Sequence, residues 1–125
     1  MSSLYGRSAS ATATLVLALL AFTPAAASVA SGSHARATRD SVGAKEFAFK
    51  LSTRSIGRPG KVAFTVKNNG SIEHNFKING KSTPDLQPGK TARLSVSFKK
   101  KGRYRYLCTE PGHAAAGMRG VFTVR

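Results

Sequence analysis

The chain has one cysteine among its 125 residues, so no disulfide can form within it. Tryptophan is absent, histidine occurs three times and methionine twice. Acidic residues are scarce, with five Asp and Glu against 20 Lys and Arg. Each scarcity excludes something. Three histidines cannot furnish a catalytic metal cluster in addition to a mononuclear site. A single methionine beyond the start, Met118, leaves no methionine-rich surface of the kind that hands metal between proteins. The missing acid leaves a formal net charge of +15. Such a surface attracts acidic partners and anionic envelope surfaces. The basic residues are spread along the chain and no nucleic-acid motif accompanies them, so nucleic acid is not the expected partner.

Long apolar runs are also lacking. The one candidate, Ala11 to Phe22, is shorter than the ~20 residues that span a bilayer. It follows a basic Arg7 and precedes Pro24 and a run of small residues, the order of a secretory signal. Residues 1–30 are therefore expected to be a cleaved signal, and the mature protein to be periplasmic or extracellular. Residues 31–43 are small and polar and read as a flexible leader, with His34 solvated within it. Residues 44–125 remain as one small domain, with monomer as the default state.

Helical periodicity is absent from that domain, and period two replaces it. Phe47, Phe49 and Leu51 alternate with Ala48 and Lys50; Val62, Phe64 and Val66 alternate with Ala63 and Thr65. The same holds for His74, Phe76 and Ile78, for Leu94, Val96 and Phe98, and for Tyr104, Tyr106 and Cys108. Phe122 and Val124 close the chain. Asn69-Gly70 and Asn79-Gly80 mark turns, and Lys99 to Lys101 a solvated tip between strands. Roughly six strands with one apolar face each predict an all-β fold of two sheets packed face to face.

What is present is concentrated chemistry. Cys108, His113 and Met118 lie five residues apart, and strand parity turns His74 toward the same core. A thiolate, two imidazoles and a thioether are the ligand types of a mononuclear blue-copper site. Zinc also accepts Cys and two His, but a thioether is a poor zinc ligand. A lone thiol in an exported protein also needs an occupant to escape oxidation.

Three blocks carry a family resemblance. The first is Val66 to Phe76, which contains His74; the second is Leu86 to Ala92, with Pro88-Gly89; the third is Gly102 to Met118. In these the chain resembles the cupredoxins, small blue-copper proteins of the plastocyanin and azurin type. Four residues separate Cys108 from His113, and four separate His113 from Met118. That spacing is similar to the longer-loop members auracyanin and rusticyanin. The resemblance implies a Greek-key β-sandwich and one copper ion, Cu(II) or Cu(I), held by His74, Cys108, His113 and Met118. It further implies that Asn75 ties the two ligand loops together with Thr109 as partner, and that the small residues around His113 form an electron-transfer port. The expected role is one-electron carriage between redox proteins with acidic docking surfaces, and not catalysis. The alternative is a copper-binding module for trafficking or storage in the cell envelope.

Overall fold

The computed structural model describes Gly6 and residues 35–125. The expected signal and His34 lie outside the described residues. Nine strands make up the fold, and no helix occurs among the described residues. They are β1 (Thr38–Lys45), β2 (Ala48–Leu51), β3 (Ser55–Ile56), β4 (Gly60–Asn68), β5 (Lys77–Ile78), β6 (Lys81–Ser82), β7 (Thr91–Phe98), β8 (Gly102–Leu107) and β9 (Arg119–Val124).

They form two sheets, with strand orders β2-β1-β4-β7 and β3-β9-β8-β5-β6. Both are mixed: β1 runs parallel to β4, and β3 parallel to β9, while the remaining pairs are antiparallel. The chain changes sheet after β2, β3, β4, β6 and β7, so no sheet is built from sequence neighbours alone. The fold is the expected all-β sandwich.

Alternation places the core. On β4, Val62, Phe64 and Val66 are wholly buried; on β7, Leu94, Val96 and Phe98 face them. The opposing sheet contributes Ile78, Tyr106, Phe122 and Val124. Phe64 is the hub. Its ring lies 5.4 Å from Phe76, 6.5 Å from Phe98 and 5.5 Å from Phe122, mostly edge to face. Aromatic pairs at these separations add to the stabilisation from area burial alone. Asn79, with φ 49°, and Gly80, with φ 72°, make the left-handed turn that joins β5 to β6.

Two expectations need correction. The leader expected at 31–43 is strand in its second half: β1 begins at Thr38 and pairs with β4 from Thr38↔Val62 to Ala44↔Asn68. Its period was hidden because its first inward residue is Asp40, which is 3 % exposed. Its Oδ1 accepts hydrogen bonds from Ser52 Oγ at 2.5 Å and Thr53 N–H at 2.9 Å, which offset part of the cost of burial, while Oδ2 is buried without a hydrogen-bond partner. Phe47 does not share the inward face of Phe49 and Leu51: it sits in the β1–β2 turn and is 41 % exposed. Asn69-Gly70 marks the turn into the loop that carries His74, and Gly70 has no positive φ.

Phe64→Ala is expected to cost about 3–5 kcal/mol, the range for emptying an aromatic core site. Urea unfolding of the metal-free protein measures it.

Candidate metal centre

β4 ends on Asn68, whose parity with Val62, Phe64 and Val66 carries it into the core. It is wholly buried, and its amide spends that position on hydrogen bonds. Nδ2 donates to the carbonyls of Ile72 and Leu86, each at 2.7 Å, and Oδ1 accepts from Gly70 N–H at 2.8 Å. The loop after β4 is thereby folded back toward the second sheet. His74 then meets Leu86 in an isolated antiparallel bridge, with His74 N–H to Leu86 O at 3.1 Å and the reverse at 2.8 Å. His74 thus lies just before β5, with no solvent exposure.

The other candidate ligands come from the segment between β8 and β9. Cys108 and Met118 are fully buried, and His113 is half-buried. Cys108 N–H donates to Met118 O at 3.0 Å, and Met118 N–H donates to His113 O at 3.0 Å. These two bonds close the loop on itself and bring its three candidate ligands together. Across the loop mouth His74 Nδ1 lies 3.2 Å from His113 Nδ1, and Cys108 Sγ lies 3.5 Å from the same nitrogen. His74, Cys108 and His113 thus offer donor atoms all within 4.8 Å of one another. Such spacings suit donors held about 2.0–2.3 Å from one transition-metal ion. One soft sulfur and two imidazole nitrogens, with the Met118 side chain buried alongside, fit copper better than zinc or a hard cation.

Asn75 links the two halves as the resemblance implied. Its Nδ2 donates to Thr109 Oγ1 at 2.6 Å, and Thr109 N–H donates back to Asn75 Oδ1 at 2.7 Å. Nδ2 also donates to Asp85 at 2.7 Å. Hydrogen bonds of this kind hold ligand orientation when the metal changes its charge.

Two contributors were missed from sequence. Asn68 could have been found, because a polar residue at core parity signals a buried hydrogen-bonding role. Glu46 could not. It sits in the β1–β2 turn, 28 residues from His74, and its Oε1 lies 3.3 Å from His74 Nε2. The same oxygen accepts from Ser71 N–H at 2.5 Å and Ile72 N–H at 3.0 Å. Gly70 makes room for it, since a Cβ there would collide with the carboxylate. Hydrogen bonds from its own backbone N–H and from that of Ser71, then Ile72 and His74, lower its pKa from 4.5 to about 2. Phe47 in the same turn packs its ring edge on His113, with centroids 5.1 Å apart. With Ile72, 42 % exposed, and the exposed Ala115 and Ala116, it gives this end an apolar rim.

Four of the five acidic residues gather at this end. Glu46 touches His74, and the carboxylates of Glu73, Asp85 and Glu110 lie within 4.8 Å of one another.

The sheet pairing, the closed ligand loop and the His–Cys–His cluster together define a copper-binding sandwich. The family described as "Copper binding proteins, plastocyanin/azurin family" matches residues 11–125, and the chain belongs to it. Among solved structures, the chain is similar to reduced auracyanin from Roseiflexus castenholzii. The TM-score is 0.64 at 22 % identity, covering 71 % of this chain and 98 % of that one. It is also similar to auracyanin A from Chloroflexus aurantiacus, with TM-score 0.62 at 20 % identity, covering 72 % and 100 %. Among curated proteins, it is 29 % identical to "Copper-resistant cuproprotein CopI" of Rubrivivax gelatinosus, over 62 % of this chain and 59 % of that one. The protein of the same name from Vibrio cholerae is 32 % identical over 46 % of each chain. The chain thus spans less than two thirds of the length of these curated relatives.

Two outcomes are expected. Asn68→Ala removes three hydrogen bonds that shape the His74 loop, those to Ile72 O and Leu86 O and the one from Gly70 N–H, and should cost about 3 kcal/mol, read by denaturant unfolding. Glu46 is more acidic folded than unfolded, so its ionisation stabilises the metal-free fold above pH 4.5 and that support is lost as pH falls to about 2. The stability gap between the protein and Glu46→Gln should therefore shrink over that window in thermal melts.

Proposed function

We propose that the chain is an exported blue copper protein that carries single electrons. His74 Nδ1, Cys108 Sγ and His113 Nδ1 would hold one copper ion, with the Met118 thioether as a weak fourth ligand. When bound, that ion supplies a reversible Cu(II)/Cu(I) couple. The observation that carries the reading is the convergence of two imidazole nitrogens and the only thiol at 3.2 and 3.5 Å. Electron carriage follows from how little the site can move. His74 is pinned by its bridge to Leu86, the Cys108–Met118 loop by its own backbone bonds, and each to the other by Asn75 and Thr109. A site so held changes oxidation state with little rearrangement. No catalytic role is proposed, because the cluster spends the histidines that a second, reactive centre would need.

The half-buried His113, framed by Phe47 and the small residues Gly112, Ala115 and Ala116, is the proposed port for electrons. Partners are proposed to be redox proteins with acidic docking surfaces, drawn by the large excess of Lys and Arg over Asp and Glu. Monomer is the proposed state. The proposed location is the periplasm or the cell exterior, after removal of the signal expected at 1–30.

A second reading is favoured by one finding. The relatives named for copper resistance support a role in binding or moving copper in the envelope. The two readings differ in what leaves the protein, an electron or the ion.

Adding Cu(II) to the mature protein is expected to produce an intense visible thiolate-to-copper band that bleaches on mild reduction and returns on oxidation. Cys108→Ser should remove the band and the redox response while the far-ultraviolet circular dichroism stays that of the sandwich. A colourless protein, or one that releases its copper to a mild Cu(I) chelator on each reduction, would sink the carrier reading and favour the second.

A further inference from the structure

We propose that Glu46 is a positioning residue of the metal centre, one that fixes the His74 ring with Nδ1 bare and biases the site toward the higher oxidation state. The proposal rests on the copper reading of the site for its second half and on ring geometry alone for its first.

His74 has no solvent exposure, so each ring nitrogen must find its partner within the protein. Nδ1 faces His113 Nδ1 at 3.2 Å, and Nε2 faces Glu46 Oε1 at 3.3 Å. A neutral imidazole carries one N–H. A carboxylate is an acceptor only, so the proton belongs on Nε2, and the Nδ1 lone pair is left facing His113 and Cys108. The tautomer is thereby chosen before any metal arrives.

Glu46 is itself held in place. Its Oε1 receives the backbone N–H groups of Ser71 and Ile72, and Gly70 leaves the space its carboxylate fills. The side chain is 23 % exposed, so its charge is only partly screened by water. Because it comes from the β1–β2 turn, the clamp is independent of the Asn75–Thr109 tie that serves the other side of the site.

A backbone carbonyl at Nε2 would set the same tautomer. A carboxylate adds a formal negative charge one ring away from the metal. It raises ligand basicity and favours Cu(II) over Cu(I), because the ion loses one positive charge on taking up an electron while Glu46 keeps its own. The expected result is a reduction potential lower than the same ligand set would have without it.

The test has two readouts. In the metal-free whole protein at neutral pH, nitrogen-15 NMR should report His74 with Nε2 protonated and Nδ1 bare; the opposite tautomer overturns the proposal whether or not copper binds. In the copper-loaded protein, Glu46→Gln keeps the size and an acceptor oxygen but removes the charge. The preference for Cu(II) over Cu(I) should fall about tenfold, a rise of about 59 mV for a one-electron couple. Glu46→Asp, which restores the charge, is expected to bring the potential back toward the original value. An unchanged potential in Glu46→Gln with a lowered melting temperature would overturn the proposal and leave Glu46 as a staple for residues 70–72. Absence of a thiolate–copper band in the unsubstituted protein would instead overturn the copper reading, and with it the charge half of the proposal.

Discussion

The reciprocal hydrogen bonds between Asn75 and Thr109 join two segments 34 residues apart in the chain. The donor set at the metal end is assembled across that junction. On one side stands a loop set by Asn68 and the His74–Leu86 bridge; on the other stands a loop closed by the bonds among Cys108, His113 and Met118. Neither loop could place a donor set alone, since His74 lies on the first and the other three candidates on the second. The sandwich beneath supplies what hydrogen bonds cannot, namely a fixed base. Phe64, Phe76, Phe98 and Phe122 lock the two sheets in register, so the loops at their ends start from fixed points.

The site also shows how polar groups are kept in an apolar fold. His74, Asn75 and Asn68 are all buried, at a cost that hydrogen bonding must offset. Asn68 finds its partners in the backbone of the loop it organises, so satisfying the side chain and shaping the loop are the same event, while Asn75 meets Thr109 and Asp85 and the His74 ring meets Glu46 and His113. Loss of one such group removes a contact and also frees a segment that bears a ligand.

Much of this was legible in the sequence, and the rest was hidden for physical reasons. Period two exposed the long strands because one face of each meets the core and the other meets water. The cluster of His74, Cys108, His113 and Met118 was legible because those residue types are rare here and stand at loop spacing. β1 escaped notice because its inward Asp40 is buried by hydrogen bonding to Ser52 and Thr53, which hydropathy does not register. The short strands β3, β5 and β6 are two residues each, too brief to show a period. Phe47 mimicked a core position by parity, but a turn intervenes and presents it to His113 instead. Glu46 was invisible because its role exists only once a turn and a distant loop are folded together.

The scarcity of acid has a geometric side. Glu46, Glu73, Asp85 and Glu110 sit where β4 ends and β8 delivers Cys108. At the other end of the same strands stand Arg58, Lys61, Lys99, Lys100, Lys101 and Arg125. β4, nine residues long, separates the two groups by about 30 Å. The molecule is therefore an electric dipole as well as a cation. Such a distribution turns in an electric field as well as being drawn along it, so orientation and attraction are set by the same few side chains.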